Sequence, residues 1–96
     1  MRHEKLITNP EGDKIKIDVR FYENFQGLPT YNLDISVCPK GKRLFKRLEF
    51  DNWSYRKLST EERRAYEHTE YLKYITEEQM LEAKIELWHK LAPQPN

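Results

Sequence analysis

Lys14 to Tyr22, KIKIDVRFY, alternates Ile15, Ile17, Val19 and Phe21 with Lys14, Lys16, Asp18, Arg20 and Tyr22. A period of two sends successive side chains to opposite faces, so the stretch predicts a β-strand with one oily and one wet side. Thr30 to Cys38 repeats the pattern, with Tyr31, Leu33, Ile35 and Val37 in phase. Between them Glu23 to Pro29 is a loop that Gly27 and Pro29 punctuate. Upstream, Arg2 to Thr8 predicts a short first strand on the sheet edge. Asn9-Pro10-Glu11-Gly12 then closes a hairpin by a type I turn with a bulge, placing Asn9 against Asp13, Ile7 opposite Ile15 and Leu6 on the polar side. Downstream, Pro39 to Lys42 is a tight turn, and Arg43 to Phe50 returns as a strand with Leu44, Leu48 and Phe50 in phase and Lys46 discordant.

Matching oily faces sets a register, because a slip of one residue would turn every apolar side chain outward. The expected pairs are Phe21 with Leu33, Val19 with Ile35 and Ile17 with Val37, then Val37 with Leu44 and Leu33 with Leu48. On the wet face this register sets Asp34 between Arg20 and Arg47 as a transverse charge row.

After Phe50 the period changes. Asp51 to Leu58 is a connection whose Trp53 and Tyr55 are expected to fold back over the sheet edge. Ser59-Thr60-Glu61-Glu62 is a capping box, in which the Ser hydroxyl accepts a free amide of the first turn and the Glu reaches back, so a helix starts there and runs to about Tyr74. Its inner side is expected to hold Ala65, Tyr66, Thr69, Leu72, Lys73 and Ile75, with Tyr71 and Tyr74 at the flanks. Thr76-Glu77-Glu78-Gln79 is a second box, with Ile75 and Met80 as a hydrophobic staple. From it a helix over Glu77 to Ala92 gathers Met80, Leu81, Ala83, Ile85, Leu87, Trp88, Leu91 and Ala92 on a broad apolar face, and Glu86 and Lys90 are spaced as an i,i+4 pair. At about 24 Å this helix matches the strand pair and is the natural roof. Strands followed by helices predict an α+β fold: an antiparallel meander of three or four strands, then two α-helices packed on one face in a two-layer sandwich. Residues 1–92 form one domain in this reading, and 93–96 a short Pro-containing tail.

Composition narrows the function. Ninety-six residues suffice for one modest core, and seventeen Lys plus Arg against sixteen Asp plus Glu leave a net charge of +1. Long-range attraction to nucleic acid or lipid is therefore weak, and any electrostatic partner must be recognised by a local patch. A lone cysteine, Cys38, precludes an internal disulfide and a multi-thiolate zinc site. The opening MRHEKLITN has no apolar run of signal-peptide length, and no stretch approaches the roughly 20 apolar residues of a membrane span, so a soluble cytoplasmic protein without a membrane partner is expected.

No catalytic, cofactor or metal constellation emerges: His3, His68 and His89 are scattered, and three glycines form no phosphate loop. Asp18 and Asp34 share the wet face, yet with Arg20 and Arg47 beside them surface ion pairing is the simpler expectation. An enzyme ranks last. The surplus aromatics Tyr22, Phe25, Trp53, Tyr55, Tyr71 and Tyr74 exceed what so small a core can hold, and Tyr and Trp are residue types that anchor interfaces. The leading expectation is thus a non-enzymatic module that recognises another protein, or a second copy of itself, through these aromatics and a sheet edge, with no cofactor. The alternative is nucleic-acid binding: Lys40, Lys42, Arg43, Lys46 and Arg47 put five cations into eight residues around Phe45, beside Arg20 on the polar sheet face.

Overall fold

The computed structural model describes residues 1–91, so the tail expected at 93–96, and Ala92 before it, lie outside the described residues. Four strands, β1 (Arg2–Thr8), β2 (Lys14–Glu23), β3 (Pro29–Cys38) and β4 (Lys46–Arg47), make one sheet in the order β1-β2-β3-β4, every neighbour antiparallel. Three helices follow: α1 (Trp53–Arg56), α2 (Thr60–Tyr71) and α3 (Glu77–Leu91). The class is α+β, with β4 shorter than expected and one helical turn, α1, more than expected. Asn52 nucleates that turn by accepting the Tyr55 amide at 2.7 Å. Among the described residues no helix is long and apolar enough to cross a membrane.

The first hairpin closes as its sequence dictates. Gly12 donates to the Asn9 carbonyl at 2.9 Å and Asn9 to that of Asp13 at 3.0 Å, while Gly12 holds φ +89°, a conformation open to glycine. Ile7 faces Ile15 and Leu6 stands exposed on the other side.

The second hairpin keeps the expected faces but not the expected register. Ile15 faces Val37, Ile17 faces Ile35, Val19 faces Leu33 and Phe21 faces Tyr31, two residues away from Ile17–Val37, Val19–Ile35 and Phe21–Leu33. The loop accounts for the shift. The Asn24 amide donates to the Leu28 carbonyl at 2.9 Å, and the Asn24 carboxamide oxygen accepts the amides of Gln26 and Leu28, so the strands pair as far as Glu23–Pro29 and close over five residues. Leu48 donates to the Ile35 carbonyl at 3.0 Å and Lys46 faces Val37, so the third pairing is also displaced by two: Leu44 does not meet Val37, nor Leu48 Leu33.

Ile15, Ile17, Val19, Ile35 and Leu87 are fully buried, each worth about 1.5–3 kcal/mol relative to exposure. Met80, Ala83 and Leu87 bring α3 onto this face, over β1 and β2. The broad apolar face expected of α3 is only half used: Leu81, Ile85 and Trp88 stand exposed, since a helix on a flat sheet can bury one stripe. Glu86, expected on the wet side beside Lys90, instead takes the Lys5 ammonium at 2.9 Å and lies 3.1 Å from His3 Nε2. This clamp on the outermost strand holds the Glu86 carboxyl below its ordinary value, chiefly through the hydrogen bond from Lys5.

Both capping boxes form. Ser59 Oγ accepts the Glu62 amide at 3.3 Å while Glu62 Oε1 takes that of Ser59 at 3.1 Å, and Thr76 and Gln79 exchange the same pair at 3.1 and 2.9 Å. The helix that Ser59 starts ends at Tyr71 rather than Tyr74, and it is rotated from the expected orientation. Ala65, Thr69 and Leu72 are exposed, whereas Tyr71, expected at the flank, is 4% exposed in the core. The cause is aromatic: Phe50 collects Tyr55, Tyr66 and Tyr71 around itself at ring centroid distances of 5.7, 5.5 and 6.1 Å, which turns the Tyr66 and Tyr71 side of α2 inward.

Candidate functional site

The expected interface aromatics divide. Tyr71 is core, and its burial pushes the phenol pKa up. Tyr55 stacks in the Phe50 cluster and donates its hydroxyl to Glu67, a bond that raises its pKa. Tyr74 is half-buried against the core. Tyr22, Phe25 (96% exposed) and Trp53 (69%) remain on the surface. Trp53 does not fold back over the sheet edge as expected; it stands largely exposed with the Lys57 ammonium 4.7 Å above its ring. No ring contact joins it to Tyr22 or Phe25 among the described residues.

The cations divide too, by strand alternation. Arg20, Phe45 and Arg47 lie on the polar sheet face, where the Lys16 ammonium sits 4.6 Å over Phe45. Here the register brings Glu4, Asp18 and Asp34 into one transverse row. Like charges facing across strands repel, and arginines relieve them: Arg2 reaches Asp18 at 2.6 Å and Arg47 reaches Asp34 at 3.1 Å. The Arg47 guanidinium pKa rises mainly through the Asp34 charge. The expected Arg20–Asp34–Arg47 row is thus half right. Arg20 faces Asn32 and lies 3.9 Å from Asp18 of its own strand, because the two-residue shift set Asp34 opposite Asp18. Among the described residues no three His, Cys, Asp or Glu side chains are placed to hold a metal ion.

The other cations gather at a different place. After the turn in which Lys42 donates to the Pro39 carbonyl at 2.9 Å, Arg43 to Phe45 run unpaired before β4 joins β3. Lys46 then faces Val37 on the side of the sheet that elsewhere bears Ile17 and Ile35. An ammonium is tolerated on the oily face because the roof stops short of it. The helices leave an open groove of about 980 Å³ at this corner, with Val37, Leu44, Leu48 and Tyr74 as apolar lining and Lys42, Arg43 and Lys46 around it. Leu44 is 83% exposed. The groove's anions are partly engaged: Asp51 holds Arg56 at 2.7 Å, and Asp13 accepts the Lys40 amide at 2.9 Å. Lys42, Arg43 and Lys46 have no ion-pair partner among the described residues.

This corner is also the end of the sheet. Leu48 donates toward β3, and in an antiparallel ladder alternate residues point their backbone groups the opposite way, so the N–H and C=O of Arg47 and Glu49 face outward. Among the described residues no strand takes them. The one sequence signal for the corner was the discordant Lys46; exposure of Leu44 had none, since phase alone assigned it to the core.

No protein-family model matches the chain, and no curated protein and no solved structure matches it at significance.

Proposed function

We propose that the protein is a non-enzymatic interaction module that captures an extended segment of another protein by adding it as a strand along β4. The observation that supports this is the coincidence, at one corner, of outward-facing backbone groups on Arg47 and Glu49 with an open groove containing the exposed Leu44. In strand addition the main chain supplies affinity and alternate side-chain pockets supply selectivity. Of the six aromatics expected to form an interface, Tyr55, Tyr71 and Tyr74 are occupied with packing, and no ring contact joins Tyr22, Phe25 and Trp53 into one patch among the described residues, so the edge takes the larger share of that role.

Nucleic-acid binding is the competing proposal, since Lys42, Arg43 and Lys46 are unpaired among the described residues. Two features weigh against it: the aromatic that could stack a base, Phe45, is on the far face beneath Lys16, and the Glu4, Asp18 and Asp34 row across that face already engages Arg2 and Arg47, the arginines that would otherwise meet phosphates. Affinity capture from the source cells separates the two. Wild-type protein should retain a stoichiometric partner after nuclease treatment, and a Leu44→Asp variant should lose it. A partner that disappears with nuclease, or one indifferent to Leu44→Asp, would refute strand addition at β4.

A further inference from the structure

We infer that the segment docking on this edge is acidic and apolar in alternation, a strand that reads Asp or Glu, apolar, Asp or Glu, apolar at every second residue. The inference rests on the proposal that β4 is a docking edge and adds the chemistry of what docks there. A strand laid beside β4 continues the pleat, so its residues on the groove side recur with period two. Lys42, Leu44, Lys46 and Leu48 share one parity and all line the groove, alongside Arg43, Arg47 and Glu49 of the other; the even parity is the one that faces Val37, while Phe45 lies on the far face under Lys16. A partner strand in either direction therefore meets cation, apolar, cation, apolar in turn.

Charge makes the choice of sign. Arg47 is paired with Asp34 and Asp51 with Arg56, which leaves Lys42, Arg43 and Lys46, unpaired among the described residues, against Asp13 and Glu49. Placing carboxylates opposite three unpaired cations favours association, whereas a basic strand would stack like charges. An apolar side chain at the alternate positions removes Leu44 from water together with its own surface. A continuous phosphate chain would satisfy the cations but leave Leu44 and Leu48 unmatched.

The test is a titration of the ¹⁵N-labelled full chain with three capped octapeptides that keep Thr at every second position: one with alternating Glu and Val between, one with Lys for Glu, one with Ser for Val. Octathymidylate is titrated in parallel. The Glu/Val peptide should shift the Arg47 and Glu49 amides and slow their exchange, with the Lys and Ser peptides each weaker by about tenfold. In the Arg43→Glu, Lys46→Glu variant the order of the Glu and Lys peptides should reverse, and Glu49→Pro should weaken the Glu/Val peptide even though it removes an anion, because it deletes an outward N–H. If the Lys peptide engages the same two amides as tightly as the Glu/Val peptide, the acidic assignment is wrong and the docking edge stands. If no peptide touches those amides, edge and assignment fall together. Tighter binding of octathymidylate at Lys42, Arg43 and Lys46 would reassign the groove to phosphate and overturn the inference.

Discussion

The β2–β3 ladder under α3 and the β4 corner are built from the same alternating grammar, and they end in opposite physical states. In the ladder Ile15, Ile17, Val19 and Ile35 are sealed from water by Met80, Ala83 and Leu87. At the corner Leu44 has the right phase and no roof, and Lys46 takes a position that Ile17 and Ile35 fill elsewhere. Periodicity assigns a face to each residue; whether that face is covered is decided by where the helices fall. The ladder is therefore the seat of stability, and the corner has surface left to spend on a partner.

The largest effect that could break this contrast is a cavity in the ladder. Ile35→Ala, at a fully buried side chain, should cost about 2–5 kcal/mol in urea-induced unfolding. A loss below about 1 kcal/mol would mean that the roof is not closed there. Next comes the start of α2, the helix that brings Tyr66 and Tyr71 to Phe50. Ser59→Ala removes the cap and should cost about 1 kcal/mol by the same measurement, with the loss confined to stability. At the corner, Leu44→Ala should change stability by no more than about 0.5 kcal/mol, since the side chain is already in water. A loss comparable to that of Ile35→Ala would make Leu44 part of the core and erase the distinction.

The smallest effect is the acid dependence of the clamp on β1. The Glu86 carboxyl titrates below its ordinary 4.5 in the folded chain because Lys5 and His3 favour the ionised form, so it releases its proton more readily folded than unfolded. Its contribution is thus complete above about pH 4.5 and fades as the pH falls through the lower folded value. The exposure of this pair screens it, so the acid limb of a stability profile should differ only modestly between wild type and Glu86→Gln, with the two curves converging at low pH. Divergence that grows on acidification would contradict the clamp.

Much of the fold was legible because it is local. Alternation located β2 and β3, the Asn9 to Gly12 turn supported β1 and fixed its register, and both capping boxes formed at the residues that spell them. What escaped was set by loop geometry and by contacts between elements. The two-residue shift of β2 on β3 preserves every face, so no hydrophobic argument could detect it; the Asn24 carboxamide bonds that tighten the loop decided it. The rotation of α2 followed from Phe50 gathering three tyrosines, a choice that helical periodicity over Ala65, Thr69 and Leu72 could not express. Of the candidate site, the cations of the Pro39 to Arg47 segment were visible, and Lys46 marked the corner as the one break in phase. That the same segment would open a groove around Leu44 depended on the span of the helices.

Amide hydrogen exchange of the unliganded chain tests the central claim without any partner. From Lys14 to Phe21 every β2 amide points to a neighbouring strand, so the amides of Ile15, Ile17 and Val19 should exchange only through the largest opening of the molecule, at rates that track global stability. Arg47 and Glu49 should exchange near the unprotected rate while Lys46 and Leu48, on the same segment but turned toward β3, are slower. Strong protection of Arg47 and Glu49 in the free protein would mean that the β4 edge is already covered, and the docking site proposed for it would not exist.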